Sequence, residues 1–329
     1  MRTTPAAARS SSRGRSRQRG AARALGLALL LALSCAGCTD TNENEPTLDR
    51  LERLAFVPAG QLSFSLAGLG VVTFEVREPL LVDSFEVTRA EWLVHQRSLG
   101  SAVAPELLAY TAEWSADSGE WPASFMTQPE AEAFARAVGM RLPRASEWIF
   151  VACGPQVLPF PWGATAQRSV ANTLELGLGR PVAVGTFEAG RSPQRVYDLL
   201  GNAAEWCADL APERDMLASD ERVSVLGGSF HNRARPVIDP RLIEGQSEIL
   251  ARARSRESRA DDVGLRCVAS AAEYLLAQLP LERPERARAR RYEALGHRWG
   301  VPARGLLEEL ARRPGASPAL ELLLAGASR

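Results

Sequence analysis

The sequence predicts a mixed α+β domain, loop-rich through its second half, with a small α-helical C-terminal appendage. Three observations carry this. Short apolar strands and two short helical patterns occupy the region from Leu51 to Cys153. From Gly154 to Gly264 the chain is rich in Gly and Pro and offers only short strands. A stretch of that length inside a compact domain marks a loop-rich fold and not a linker. From Ala271 onward the composition shifts to Ala, Leu, Arg and Glu. At 329 residues the chain can bury one large core or two modest ones. The expected divisions are 1–37, a targeting segment; 38–50, a tether; 51–269, the main domain; and 270–329, the helical extension.

Taken in order, Arg2, Arg9, Arg13, Arg15, Arg17, Arg19 and Arg23 form a positive n-region, and Leu25 to Leu33 a short apolar run. That run is too short to span a bilayer, which takes ~20 residues. Ser34-Cys35-Ala36-Gly37-Cys38 reads as a small-residue cleavage site. A cysteine directly after Ala-Gly resembles the bacterial lipobox, with Cys38 as the lipidated first residue. Cys35 stands where Leu is usual, so plain secretion and an unprocessed anchor remain alternatives. The expected location is the bacterial cell envelope, lipid-anchored, or otherwise the periplasm or medium. The polar run Thr39 to Glu45 reads as a disordered tether.

Leu54 to Pro58, Val71 to Val76 and Asp83 to Val87 read as strands. Thr88-Arg89-Ala90-Glu91 has the form of a capping box opening a helix. Gln128 to Val138 is an amphipathic helix with Ala131, Phe134, Ala135 and Val138 on one face, and Ser146 to Cys153 a second short helix. In the tail, Pro280, Pro284, Pro302, Pro314 and Pro318 punctuate three or four short helices. Leu306, Leu307, Leu310, Leu320, Leu322, Leu323 and Leu324 there require a packing partner, either the main domain or a docked protein.

Charge is balanced at 39 basic and 39 acidic residues, and every basic residue is arginine. Zero net charge supplies no global field to recruit nucleic acid. Seven tryptophans, several in turn-rich sequence, suit irregular loops pinned by large rings. Of five cysteines, Cys35 and Cys38 belong to the targeting segment; export would favour one disulfide and one spare thiol among Cys153, Cys207 and Cys267.

An ordered series of motifs follows: Phe56-Val57-Pro58-Ala59-Gly60, Phe85-Glu86-Val87-Thr88, Arg141-Leu142-Pro143-Arg144-Ala145-Ser146-Glu147-Trp148, Phe160-Pro161-Trp162-Gly163, Asn172, Pro181 to Phe187, Tyr197 to Trp206 with its Gly201-Asn202-Ala203-Ala204-Glu205-Trp206 centre, Gly227-Gly228-Ser229-Phe230, and Gly264-Leu265-Arg266. Over roughly residues 54 to 269 this series resembles the formylglycine-generating enzyme family, the sulfatase-modifying factor domain. The resemblance implies a single α+β domain related to the C-type lectin fold. From the residues themselves, Trp148 is expected as a core anchor, and Arg266 as a buried partner of Glu147 or Glu205.

The resemblance also implies a structural calcium site: Asp198 and Glu205 through carboxylates, Gly201 and Ala203 through carbonyls, a hard-oxygen set suited to Ca²⁺. It implies a disulfide between Cys153 and Cys267, leaving Cys207 as core packing. The family's second calcium site would begin at Asn172, but the loop to Pro181 has no evident Asp. The family's oxidase holds Cu(I) with two thiolates beyond the Gly-Gly-Ser turn. Here that ground reads His231-Asn232-Arg233-Ala234-Arg235-Pro236-Val237, with Asn232 and Val237 where thiols are expected. Soft Cu(I) requires soft ligands, so copper is not expected. The iron-dependent sulfoxide synthases of the same superfamily need a histidine cluster, and His95, His231 and His297 lie far apart in sequence.

Two readings remain: a binding or scaffold module for an unknown protein or glycan ligand, using a groove near His231, Asn232 and Arg235; or a protein-modifying enzyme with a divergent active site.

Overall fold

A computed structural model describes residues 46–66, 70–210, 222–238 and 251–328. The expected lipidation residue Cys38 and the targeting segment lie outside the described residues. Residues 46 to 329 form one compact unit. The tether ends earlier than expected, because α1 (Pro46–Glu52) is helical and buries Leu48 and Leu51. Among the described residues no helix is long and apolar enough to cross a membrane.

The first sheet is three-stranded, in the order β1 (Leu54–Val57), β4 (Leu80–Asp83), β9 (Val268–Ser270), all antiparallel. Every residue of β1 is buried, and the two-residue strand period explains how. Leu54 and Phe56 enter one core, Ala55 and Val57 a second; in β4, Leu81 joins the first core while Leu80 and Val82 join the second. A strand covered on both faces reads as a continuous apolar run, which is the pattern here.

β2 (Gly60–Leu66) and β3 (Gly70–Val76) form a hairpin. The strand expected at Asp83–Val87 lies three residues earlier, as β4. Beyond it the chain bends, with Ser84 N–H donating to Arg53 O, although Val87 N–H still donates to Leu265 O. α2 (Arg89–Leu99) starts at Thr88, whose hydroxyl caps the Glu91 amide while Glu91 returns to the Thr88 amide. α3 (Pro105–Ala112) follows, then α4 (Gln128–Ala137), which has its own capping box, Thr127 with Glu130. α5 (Ala145–Cys153) is buried along its last seven residues.

The second sheet has the order β7 (Ala251–Ser255), β6 (Arg222–Leu226), β5 (Ala204–Leu210), β8 (Val263–Gly264), with β5 and β8 parallel. Between α5 and β5 lie loops and single 3₁₀ turns, the loop-rich stretch expected. The tail forms α6 (Ala271–Gln278), α7 (Arg286–Trp299), α8 (Val301–Ala311) and α9 (Pro318–Ala327). It packs on the domain: Tyr292, Leu295, Trp299, Leu307, Leu310, Leu320 and Leu323 share the first core with Leu51, Leu54, Phe56 and Trp92.

Cys153, Cys207 and Cys267 are all free, buried thiols, and the expected Cys153–Cys267 disulfide is absent. The sheet explains the correction: Cys267 faces the first core with Leu265 and Ala269, whereas Cys153 and Cys207 pack in the second. One residue of strand register decides the face, and sequence spacing does not report it.

Candidate functional site

The centre of the domain is a buried polar network built by the loop from Tyr197 to Ala203, which feeds β5. Asp198 (φ 54), Gly201 (φ 84) and Asn202 (φ 57) are left-handed. The geometry is forced by close approach: Gly201 N–H donates to Gly227 O and Asn202 N–H to Asn172 O. A β-carbon on Gly201 would sit 2.4 Å from the Asn172 carbonyl oxygen, so only glycine fits.

Glu205, on β5, is 1% exposed and faces Arg266, also 1% exposed. Arg266 Nη2 donates to Glu205 Oε1 at 2.7 Å, and Nε reaches both carboxylate oxygens at 3.1 Å. The remaining guanidinium donors serve Asp83 O and Tyr197 O. Trp148 of α5 donates its indole N–H to Glu205 Oε2 at 2.7 Å. Three motifs far apart in sequence therefore meet at one carboxylate. Of the two partners expected for Arg266, Glu205 is the one. Glu147 instead takes a bidentate pair from Arg141 at 2.7 Å and caps the Arg144 amide. Burial alone would lower the Arg266 pKa, but Glu205 keeps it raised and the guanidinium charged.

A further residue had no role in the sequence reading. Glu86, fully buried, accepts from Asn202 Nδ2 and from the Ala203 amide, both at 2.7 Å. Its signal was an acidic residue set between the apolar Phe85 and Val87, since a buried charge demands partners. Burial, reinforced by the nearby Asp198 and Glu205 charges, lifts its carboxyl well above the usual range. Asp198 accepts from the Gly185 amide at 2.6 Å. Burial pushes it up to about 6, opposed by that amide and by Arg266, and aided by Glu205. Three buried carboxylates thus neighbour one guanidinium.

The calcium set tested against this geometry fits in part. Its donors are all oxygen, and a cation would offset the surplus negative charge. Asp198 has one oxygen committed to protein, whereas Glu205 is already taken by Arg266 and Trp148. Among the described residues no group of three or more His, Cys, Asp or Glu is placed to hold a metal.

The segment after Gly227-Gly228 closes on itself. Ser229 donates from Oγ to Asp262 at 2.7 Å. Asn232 Oδ1 accepts from the Ser229 amide at 3.0 Å, and the Asn232 carbonyl accepts from Leu174 N–H. Val237 is fully buried in the second core. His231 and Arg235 are exposed, and the His231 ring lies 4.1 Å from that of Phe230. Of the expected groove residues, His231 and Arg235 are exposed, while the Asn232 side-chain oxygen serves the turn. The three cysteines offer no replacement thiolate, since burial pushes Cys153 up to about 12 and holds Cys207 and Cys267 well above the ordinary thiol range.

Residues 40–271 match the family model described as a sulfatase-modifying factor enzyme 1-like domain. The chain is 28% identical over 181 residues to the formylglycine-generating enzyme of Mycobacterium tuberculosis, covering 47% of this chain and 59% of that protein. It is 34% identical over 92 residues to a hercynine oxygenase of Mycolicibacterium smegmatis, covering 27% of this chain and 22% of that protein. It is 28% identical over 169 residues to the inactive C-alpha-formylglycine-generating enzyme 2 of Bos taurus, covering 46% and 51%. These matches span less than two thirds of each relative's own length. The fold also superposes on the crystal structure of CarF with a TM-score of 0.50 at 16% identity, covering 66% of this chain and 97% of that one.

Proposed function

This chain belongs to the sulfatase-modifying factor enzyme 1-like family, and from that premise we propose that it is an exported, lipid-anchored binding or scaffold member without copper-dependent oxidase activity. One observation carries the reading. At the positions where the resemblance leads us to expect the oxidase's two thiolates, Asn232 is committed to Ser229 and Val237 is sealed in the core. Neither side chain is a ligand for Cu(I). That one relative is named an inactive enzyme agrees with this direction. The test is incubation of purified protein, with and without copper, with a sulfatase-type cysteine peptide. No aldehyde above the no-enzyme control is expected, and aldehyde product overturns the reading.

The anchor is proposed from Cys38: metabolic labelling with palmitate should mark the wild type and not Cys38→Ser, and equal labelling would remove it. The ligand is proposed as a protein or glycan.

A structural calcium ion is proposed between Asp198 and Glu205 with the carbonyls of Gly201 and Ala203, supported by the surplus of buried carboxylate there. A ligand bound only to the folded state raises stability with its concentration. Chelator should therefore lower the thermal midpoint and added calcium restore it; an unchanged midpoint removes the ion.

A further inference from the structure

Where α7 meets the domain, the chain leaves a cleft of about 360 Å³, within the ~300–1,000 Å³ of small-molecule sites. Arg298 comes to it from α7. Arg195 comes from the turn Ser192 to Val196; Tyr197, Trp299, Ser84 and Gln194 also line it, as does Glu52, whose carboxylate is engaged by Arg291. None of these belongs to the Asn232–Val237 segment.

The turn is tightly made. Arg195 N–H donates to Ser192 O, Ser192 N–H to Val196 O, and Val196 N–H to Ser192 Oγ. It holds Arg195 at φ 65. That left-handed geometry suits Gly or Asn and is strained for a long side chain. A strained residue whose side chain reaches a cleft is an outlier from which a role can be inferred.

The charges are also unusual. Among the described residues neither Arg195 nor Arg298 forms an ion pair with a carboxylate. Arg298 donates to the carbonyls of Glu52 and Leu54. Glu188, which feels the charge of Arg195, is engaged by Arg191 at 2.6 Å and by the Tyr197 hydroxyl at 2.5 Å. Partial burial, and the nearby charge of Arg195, hold the Arg298 guanidinium below its ordinary pKa, against the pull of Glu52. In addition, the buried Gln194 Oε1 has no hydrogen-bond partner. Two cations, one idle acceptor and a Glu52 carboxylate already paired with Arg291 share an aromatic-walled space.

We propose that this cleft binds a small ligand through an oxyanion, held between Arg195 and Arg298, with an N–H or O–H of the ligand serving Gln194. Guanidinium pairs suit carboxylate, sulfate and phosphate alike, because their paired donors match two oxygens. The inference stands whether or not the domain is an oxidase.

The test is calorimetric titration of the purified full-length protein with inorganic sulfate, inorganic phosphate and N-acetylglutamate, which separates the three oxyanion classes. Saturable binding of at least one is expected, weakened about tenfold or more in Arg195→Gly. Glycine keeps the turn's φ without strain, so this variant should hold or raise the unfolding midpoint, and lost binding then reports the guanidinium. Arg195→Lys, which keeps the charge but loses the fork, should weaken binding less than Arg195→Gly. No saturable binding by the wild type to any of the three, or binding untouched by Arg195→Gly, overturns the site.

Discussion

Glu205 carries an unusual concentration of roles for one side chain, because it satisfies both a buried guanidinium and a buried indole N–H. Such a pair contributes little net stability relative to an apolar substitute, yet removing one member strands the other. Glu205→Ala should cost about 3–5 kcal/mol by that mechanism. Glu205→Gln restores a hydrogen-bond acceptor but not the charge, so it should fall between Ala and wild type. Urea unfolding of the three proteins measures this, and an Ala variant within about 1 kcal/mol of wild type would show that Arg266 finds another partner. The Arg266 pairing was legible in the sequence because a buried charge requires compensation. The free state of Cys153 and Cys267 was not, because it depends on which core each thiol enters, Cys153 from α5 and Cys267 from the segment just before β9.

At the scale of elements, caps and close crossings set stability. Glu130 closes the cap of α4 and pairs with Arg259 at 2.5 and 2.8 Å. Burial alone would raise its pKa, but Arg259 and the Thr127 amide hold it below the ordinary value of 4.5. A depressed carboxylate contributes stability that is fully present above its unfolded value and lost as pH falls through the folded one. The wild-type midpoint should therefore drop more steeply below pH 4.5 than that of Glu130→Gln. At a part-exposed pair the difference should be about 1 kcal/mol or less. Parallel acid titrations of both proteins would count against the role.

Helix crossings give a sharper contrast. A β-carbon on Gly296 of α7 would lie 1.9 Å from Leu323 O of α9, and one on Gly326 would lie 2.0 Å from Glu293 O. Both obstacles are backbone, so the helices would have to separate. Gly296→Ala should lose about 1–3 kcal/mol to overpacking, outweighing the ~1 kcal/mol gained from helix propensity. Gly305 of α8 meets nothing within 4 Å, so Gly305→Ala should gain about 0.5–1 kcal/mol. Thermal unfolding of the two variants should show shifts of opposite sign. Periodicity in the sequence located α4, α5, β1 and β3. The same alternation runs through β2 as Leu62, Phe64 and Leu66. The paired Gly296 and Gly326 contact was hidden, since it depends on how two helices meet.

For the molecule as a whole, the C-terminal helices are a wall of the main core and not an accessory. The sequence showed that their leucines needed burial, but not against what. Trp299 lies with its ring 6.1 Å from Phe56 and donates its indole N–H to Leu54 O at 3.0 Å. Leu307, Leu310 and Leu323 are fully buried in the same cluster. Each buried side chain of that size is worth about 1.5–3 kcal/mol, against a total stability of ~5–15 kcal/mol for a domain. Losing several at once exceeds that margin, and the loss also uncovers Leu51, Leu54 and Phe56 on the domain side. A protein ending at Glu285 should therefore lack a cooperative thermal transition and bind a hydrophobic dye at room temperature. A soluble truncated chain, unfolding cooperatively within a few degrees of full length, would show that the family domain closes its own core and that these helices only cover it.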